Sequence, residues 1–202
     1  MVETNSTLHL FNNTTGDFRS MIRDIITSDE QKIDRITSCF TKLTPIKRNT
    51  IILAKGQVCK HFYFIETGCA RTYYITKEGQ EKTRLIMFER SPLTVLSSFI
   101  SQRPTVEYME TLEDTVLYSI SQVDFFFLRK EIPEWDQFYL NMLEDAFLFQ
   151  NQKIEELVTL FAKERYEKLR KETPHFIQRI SNKVLATYLD ISQETLSRLK
   201  SK

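Results

Sequence analysis

The hydrophobic period of the chain changes at Pro133, and this change restricts the folds that the sequence can adopt. Before Pro133, short runs rich in β-branched and aromatic residues span 50–56, 61–68, 69–76, 81–88 and 115–121. Gly56, Gly68 and Gly79 stand at the ends of such runs, where a turn with positive φ suits glycine. Short strands in series, joined by tight turns, predict an antiparallel sandwich or barrel of roughly seven or eight strands.

After Pro133 the apolar residues recur at helical spacing, which predicts one long helix over 133–161. One set steps alternately by three and four positions, as in a coiled-coil seam: Leu140, Leu143, Phe147, Gln150, Ile154, Leu157 and Phe161. A second stripe lies on another face: Trp135, Phe138, Met142 and Phe149. We expect the second stripe to pack on the β domain and the seam to meet a second copy of the chain. Packing of both stripes within one chain is the alternative.

The C-terminal residues predict three shorter helices, at 162–172, 182–189 and 193–200, the last two with Ser181 and Ser192 as N-caps. Only a few residues around Asp190 and Ile191 separate the last two helices, which is the spacing of a helix-turn-helix. Its small core is expected from Leu185, Leu189, Ile191 and Leu196. Helical hairpins that do not bind DNA share this pattern.

The N-terminal region predicts helices over 18–43, with a break and a new N-cap near Ser28 and Asp29. A polar lead-in, residues 1–17, precedes them and is expected to be disordered. It lacks the basic end and apolar stretch of a signal peptide. No apolar run in the chain approaches the roughly 18 to 20 residues that span a bilayer, so no membrane association is expected.

The formal charge is unevenly distributed along the chain. Residues 163–202 contain ten basic and five acidic residues, for a net charge of +5, whereas residues 1–162 carry −4. A basic module on a mildly acidic body is the outline expected when one end meets a polyanion. Cys39, Cys59 and Cys69 have spacings that suit neither a disulfide framework nor a metal site. We expect reduced thiols in a cytoplasmic protein.

Two stretches resemble the Crp/Fnr family of bacterial regulators. In the N-terminal half they are YFIETGCARTYYI with the following hairpin, EKTRLIMF, and ETLEDTVLYSIS leading into an aromatic helix. In the C-terminal half the motifs RYEKL, IQRIS, LATYLDIS and ETLSRLK are similar to the form found in Bacteroidetes-type bacteria. The resemblance covers about residues 20–202.

The resemblance implies an α+β architecture in four parts. Residues 1–17 are the lead-in, 18–132 an antiparallel jelly-roll sensor domain of the cyclic-nucleotide-binding type, 133–161 a dimerisation helix, and 162–202 a helix-turn-helix domain of truncated winged-helix form. The family's terminal wing hairpin is expected to be missing, so that any wing must come from residues 173–181. The implied partners are double-stranded DNA with a near-palindromic operator, a second copy of the chain, and an unknown small-molecule or protein effector.

The motif ETLSR resembles the ExxSR motif with which the fumarate-nitrate branch reads base edges. By that match Glu194, Ser197 and Arg198 are expected to contact bases, with Gln193 beside them. Ser192 and Thr195, at the start of the same helix, are expected to contact phosphate. The plainer interpretation is that Ser192 is only an N-cap and that Glu194 and Arg198 form a surface ion pair.

The sensor half departs from the family members that bind cyclic AMP. Those members hold the cyclic phosphate with a glycine-rich turn, a Gly-Glu pair and a downstream Arg-Ser. Here residues 90–114 contain no glycine; Val95 and Leu96 replace Gly-Glu, and Thr105 and Val106 replace Arg-Ser. An unpaired buried phosphate would cost several kcal/mol, so we expect that the sensor does not bind cyclic AMP.

Other ligand chemistries find little support in the sequence. Arg84, Arg90 and Arg103 could serve another anion, but solvation at the surface is the expected role of each. The dispersed cysteines argue against an iron-sulfur cluster, and the scattered histidines, His9, His61 and His175, against a metal site.

No cofactor and no catalytic residue are expected, because the chain has no His-x-His pair, nucleophile elbow or phosphate loop. A jelly-roll enzyme is therefore the weakest interpretation. The remaining alternative to a DNA-binding regulator is a sensor module of the same fold that has lost specific DNA binding.

Overall fold

The computed structural model describes residues 17–201, which form a β domain, one long helix and a cluster of short C-terminal helices. The helices are α1 Phe18–Ile25, α2 Glu30–Ser38, α3 Leu96–Ser101, α4 Gln122–Glu131, α5 Pro133–Thr159, α6 Ala162–Glu172, α7 Pro174–Arg179, α8 Asn182–Leu189 and α9 Gln193–Lys200. The strands are β1 Thr41–Lys42, β2 Ile51–Leu53, β3 His61–Thr67, β4 Ala70–Ile75, β5 Glu81–Met87, β6 Pro92–Leu93, β7 Tyr108–Thr111 and β8 Val116–Ser121.

The strands pair into two antiparallel four-stranded sheets, with the orders β1-β8-β3-β6 and β2-β7-β4-β5. Two such sheets packed face to face form a jelly roll, as the sequence predicts. The turn between β3 and β4 depends on Gly68, whose φ is +96°. A Cβ atom there would lie 2.5 Å from Thr115 Oγ1 and 2.6 Å from the carbonyl oxygen of Asp114. Only glycine fits this close approach of two chain segments.

The N-terminal helices are shorter than the predicted 18–43. Asp17 caps α1 by accepting from the Ser20 amide, and Asp29 caps α2 by accepting from the amides of residues 31 and 32. The helical pattern ends at Ser38, and residues 41–42 instead pair with β8. The extension to residue 43 was therefore wrong. Of the predicted lead-in, residues 1–16 lie outside the described part of the chain.

An aromatic core joins the jelly roll to the first turns of α5. Trp135 is fully buried, and its indole N–H donates to the Phe125 carbonyl at 3.1 Å. The ring of Phe138 lies against those of Phe62 and Phe64, at centroid distances of 6.4 and 5.7 Å. The stripe that begins with Trp135 and Phe138 thus fixes α5 on the jelly roll, as predicted.

The long helix ends two residues earlier than the predicted 133–161. Leu160 is extended, with φ −103° and ψ 139°, and Phe161 is the N-cap residue of α6, where its amide donates to Glu164 at 2.8 Å. Phe161 therefore lies off the helix on which the sequence placed it. No helix within residues 17–201 is both long and apolar enough to cross a membrane.

The short C-terminal helices α6, α8 and α9 have the bounds that the sequence predicts. Residues 173–181, proposed as the source of a wing, instead contain α7, so no wing hairpin is present among the described residues. The reason is local: Pro174 stands at the first helical position, where proline is well tolerated.

Candidate nucleic-acid interface and sensor cavity

The last two helices, α8 and α9, form a tight helix-turn-helix. Asp190 ends α8 with φ +55°, and the Ile191 amide returns to the Ala186 carbonyl at 3.0 Å. Ser192 then caps α9 by accepting from the Thr195 amide at 3.1 Å. Leu196 is fully buried beside Leu185 and Leu189, with Ile191 packed against them. The predicted core of the motif is thereby assembled, and one face of α9 is left to solvent.

That outer face carries the four residues expected to read bases: Gln193, Glu194, Ser197 and Arg198 are all exposed. The Arg198 guanidinium lies 3.4 Å from the Glu194 carbonyl oxygen and 3.5 Å from Thr195 Oγ1. Within residues 17–201, Glu194 and Arg198 form no ion pair within 4.0 Å, so the plainer interpretation of the pair is not what the structure shows. Hydrogen bonds from its own amide and from Ser192 lower the pKa of Glu194, which stays an acceptor.

The two residues expected at phosphate are already used within the helix cap. Ser192 Oγ lies 3.1 Å from both the amide and the hydroxyl of Thr195, and the Thr195 side chain is half-buried. A phosphate at this end of α9 would therefore meet a hydroxyl pair with a defined orientation and the exposed amides of the first turn.

A salt bridge of three residues, here termed the interdomain clasp, fastens the C-terminal helices to the jelly roll. Arg179 of α7 contacts both Glu89 carboxylate oxygens at 2.7 Å and those of Glu113 at 2.6 and 3.1 Å. The guanidinium also lies over the Phe88 ring, and Glu89 accepts from the Gly68 amide at 2.9 Å. These residues are not predicted from the sequence, because no local pattern links positions so far apart in the chain.

Further polar contacts join α8 to the edge strand β5. The Thr83 and Thr187 hydroxyls lie 2.7 Å apart, Lys183 pairs with Glu81 at 3.1 Å, and Lys82 pairs with Asp190. Together with the clasp, they hold the helix-turn-helix in one orientation on the jelly roll.

The basic charge of the C-terminal region is partly neutralised. Arg179 and Lys183 pair with carboxylates of the jelly roll, and Lys168 pairs with Glu156 at 2.7 Å. In contrast, Arg170, Lys171, Arg198 and Lys200 form no ion pair within the described residues. A basic surface persists, although it is smaller than the sequence count suggests.

A cavity of about 280 Å³ lies between the jelly roll and α5, walled by side chains such as Leu85, Met87 and Phe138. Its two guanidinium groups already have acidic partners: Arg84 pairs with Glu107 at 3.5 Å and Arg90 with Asp24 at 2.6 Å. Arg90 is buried, so the expectation that it is solvated at the surface was wrong.

The four residues that replace the cyclic-phosphate motif offer little to an anion. Val95 is fully buried, Leu96 begins α3 and lines the cavity, and Val106 is exposed. The Thr105 hydroxyl is buried and accepts from the Glu107 amide at 2.9 Å. Arg103 is exposed and does not line the cavity.

No metal centre is formed by the described residues, in which no three His, Cys, Asp or Glu side chains converge. The His175 ring packs edge-on against those of Phe88 and Phe176, at centroid distances of 4.9 and 5.3 Å. Burial, with Arg179 acting in the same direction, lowers the pKa of His175. His9 lies outside the described residues.

Comparison with known proteins defines the class of this fold. Residues 43–131 match the cyclic nucleotide-binding domain family. FixK2 from Bradyrhizobium japonicum is 14% identical, with 80% of this chain and 83% of that chain covered and a TM-score of 0.69. A putative transcriptional regulator of the Crp/Fnr family from Eubacterium rectale is 20% identical, with 85% and 81% covered and a TM-score of 0.66. The catabolite activator protein of Thermus thermophilus is 16% identical, with 90% and 84% covered and a TM-score of 0.58.

Residues 43–131 are thus similar to a cyclic nucleotide-binding domain, and the chain has the fold of Crp/Fnr-type structures, in agreement with the resemblance noted in its sequence. Among curated protein sequences no significant match was found.

Proposed function

We propose that this chain is a dimeric, cytoplasmic transcription regulator that reads DNA through α9 and whose sensor does not bind cyclic AMP. The observation that carries the proposal is the helix-turn-helix with a buried core and an exposed polar face on its second helix. The chemistry of that face suits base edges: Arg198 can bond a guanine in bidentate fashion, and Glu194 can accept from a cytosine amino group.

DNA binding is tested by fluorescence anisotropy of a labelled duplex of mixed sequence between about 50 and 200 mM salt. A regulator should bind at low salt and lose tenfold or more of its affinity across this range, because cations are released from the phosphates. The absence of binding at low salt would contradict the proposal. It would favour the alternative, a sensor module without DNA binding, for which the pairing of Arg179 and Lys183 with the sensor is the supporting observation.

Dimerisation through α5 is supported by an apolar stripe that one chain leaves exposed. Phe147 and Ile154 are 66% and 60% exposed, and Leu140 and Leu157 about 40%. Leu143, in contrast, packs against the jelly-roll core and contributes less to the seam than its heptad position predicts. A parallel pairing of two α5 helices would bury this stripe and place two α9 helices about one DNA turn, roughly 34 Å, apart.

The seam is tested with Phe147→Asp and Ile154→Asp, because both side chains are solvent-exposed in one chain and their loss leaves its core intact. Each substitution would place two unpaired charges in the dimer interface, which should weaken dimerisation by roughly a hundredfold or more. Glu155→Gln, on the same helix but off the seam, is the control. Light scattering that finds all three variants dimeric would reject the seam.

Failure to bind cyclic AMP is supported by the paired state of Arg84 and Arg90 and by the apolar side chain of Leu96. A cyclic phosphate in this cavity would have to break one of these ion pairs. Calorimetric titration should therefore detect no saturable binding of cyclic AMP at millimolar concentration. Saturable binding in the micromolar range would contradict this part of the proposal.

An effector of another kind, small molecule or protein, would act by changing the relative orientation of the two α9 helices. The path for this change is α5, which packs on the jelly roll at Trp135 and reaches the C-terminal helices at Lys153. An effector shifts this equilibrium only as far as its affinities for the two orientations differ.

A further inference from the structure

A second cavity, of about 290 Å³, lies between the jelly roll and the C-terminal helices. It adjoins the cavity described above, with which it shares Leu85, Met87 and Phe149 as lining residues. Residues of β5, α5, α6, α7 and α8 line it. Its volume is at the lower end of the range of roughly 300 to 1,000 Å³ found for small-molecule sites. Much of the wall is apolar and is formed by Leu85, Met87, Phe149, Leu157, Leu169 and Phe176.

The charged side chains of this cavity are not balanced. Three cations line it, Lys153, Arg165 and Lys168, against two carboxylates, Glu156 and Glu172. Lys168 forms ion pairs with both carboxylates, at 2.7 Å from Glu156 and 4.0 Å from Glu172. Within residues 17–201, neither Lys153 nor Arg165 has a carboxylate within 4.0 Å. One negative charge is therefore missing from the cavity.

The two remaining cations have hydrogen-bond donors to spare. The Lys153 ammonium donates to the Tyr188 carbonyl at 2.8 Å and lies over the Tyr188 ring, which leaves two of its three N–H groups. Arg165 donates through Nε to the Leu189 carbonyl at 3.2 Å and through one terminal nitrogen to the Leu160 carbonyl, which leaves three of its five. Both cations thus cap the carbonyl end of α8, and both can donate hydrogen bonds to a further acceptor.

Burial of Lys153 in the cavity wall disfavours its charged form. Burial, opposed by Glu156 and reinforced by Arg165, lowers the pKa of Lys153 to about 8. A bound anion would relieve both the desolvation and the repulsion between the two cations.

We propose that this interdomain cavity binds an apolar monocarboxylate, whose carboxylate pairs with Lys153 and Arg165 and whose aliphatic or aromatic body lies against the apolar wall. A single negative charge restores the balance, whereas a dianion would exceed it. Because the ligand would contact β5 of the sensor and α8 of the helix-turn-helix together, it would stabilise the docked orientation of the two. The proposal concerns the cavity alone and does not depend on DNA binding.

The test is calorimetric titration of the full-length protein at pH 7 with octanoate and 3-phenylpropanoate, and with octan-1-ol as the uncharged counterpart. We expect one acid bound per chain, and roughly tenfold or more weaker binding of the alcohol, which cannot pair with Lys153. Failure of both acids to bind at millimolar concentration would overturn the proposal, as would equal affinity for acid and alcohol.

Substitutions locate the binding. Lys153→Met keeps most of the side-chain length but removes the charge, and should weaken acid binding roughly tenfold or more. Lys153→Arg should retain it, and Lys163→Met, on the exposed side of α6, is the matched control. Unchanged acid binding in Lys153→Met would place the acid elsewhere and overturn the proposal. If Lys153→Met does not fold, the comparison of acid with alcohol in the unmodified protein decides the question.

Discussion

Removing the guanidinium of the interdomain clasp should release the helix-turn-helix from the sensor. In Arg179→Met, the bidentate contact with Glu89 and both contacts with Glu113 are lost, while the alkyl part of the side chain can still cover Phe88. The three charged side chains are about one-third exposed, at 33%, 35% and 31% for Arg179, Glu89 and Glu113. Solvent therefore screens part of their interaction.

The size of the effect lies between two limits. Exposed ion pairs contribute about 0.2 to 1 kcal/mol, and hydrogen bonds to charged groups about 1.5 to 3 kcal/mol. For a doubly bidentate guanidinium that is two-thirds buried we expect a loss of about 2 kcal/mol, or roughly a thirtyfold shift in the docking equilibrium.

Cys69 reports this shift, because it is fully buried in the same cluster as Phe176 and Ile180 of the C-terminal helices. In a Cys39→Ser background, the rate at which a thiol reagent labels Cys69 should follow the undocked population. Mass spectrometry of the labelled peptide should find this rate about thirtyfold higher in Arg179→Met. Arg170→Met, which removes an exposed arginine of α6, should leave it unchanged. Equal labelling of Cys69 in Arg179→Met and the unmodified protein would refute the reasoning.

The same clasp should make the docking of the helix-turn-helix on the jelly roll depend on pH. Burial raises the pKa of Glu89, but hydrogen bonds from Arg179 and the Gly68 amide outweigh it and hold that pKa below its ordinary value. Glu89 thus stabilises docking fully above the pKa of an unfolded glutamate, and this contribution is lost as the pH falls through the lower folded pKa. Glu113 and His175 also face the clasp. The difference in docking free energy between Arg179→Met and the unmodified protein should therefore be largest at pH 7 and vanish in strong acid.

Three further substitutions test other parts of the structure. Gly68→Ala should cost about 3 kcal/mol or more in the free energy of unfolding, from the clash with Thr115 and the positive φ; Gly79→Ala, which meets no atom, should cost about 1 kcal/mol. Equal urea midpoints for the two would contradict the packing of this turn. Leu196→Ala should destabilise the C-terminal helices by about 2 to 5 kcal/mol, and unaltered hydrogen exchange in α8 would argue against the core. Arg198→Ala should relax the preference at one base position by about 1 to 3 kcal/mol, and an unaltered preference in a binding-site selection would exclude Arg198 from readout.

The elements that sequence predicts well are those with a local cause. The strands from β3 to β5 and β8 follow from runs of β-branched and aromatic residues, and Gly68 and Gly79 mark the turns after β3 and β4. The bounds of α8 and α9 follow from Ser181 and Ser192, which each accept a hydrogen bond from the amide three residues later. Such signals act within a few residues and can be read from the sequence.

The elements that were missed depend on distant partners. Strand β1 consists of only two residues, Thr41 and Lys42, and exists because β8 pairs with them. Strand β7, Tyr108–Thr111, has only four residues, whose burial alternates although the sequence Tyr-Met-Glu-Thr does not alternate in polarity, and it is fixed by pairing with β2 and β4. Neither has enough residues for its own pattern to compete with its neighbours.

The candidate sites divide in the same way. The exposed face of α9 could be predicted, because its spacing and cap are local. The clasp and the cationic lining of the interdomain cavity could not, since Arg179 meets Glu89 across ninety positions and Lys153 meets Tyr188 across thirty-five. These contacts arise only when the C-terminal helices dock on the jelly roll.

The central claim is that two copies of this chain read DNA together, and selection of bound sequences from a random duplex library tests it most directly. The purified protein should enrich a site with two-fold symmetry whose half-sites lie about one helical turn apart. Ile154→Asp, which disrupts the proposed seam, should lose that enrichment, and Glu155→Gln should retain it. Enrichment of a single, asymmetric half-site, or enrichment of no sequence both without ligand and in the presence of cell extract, would contradict the account.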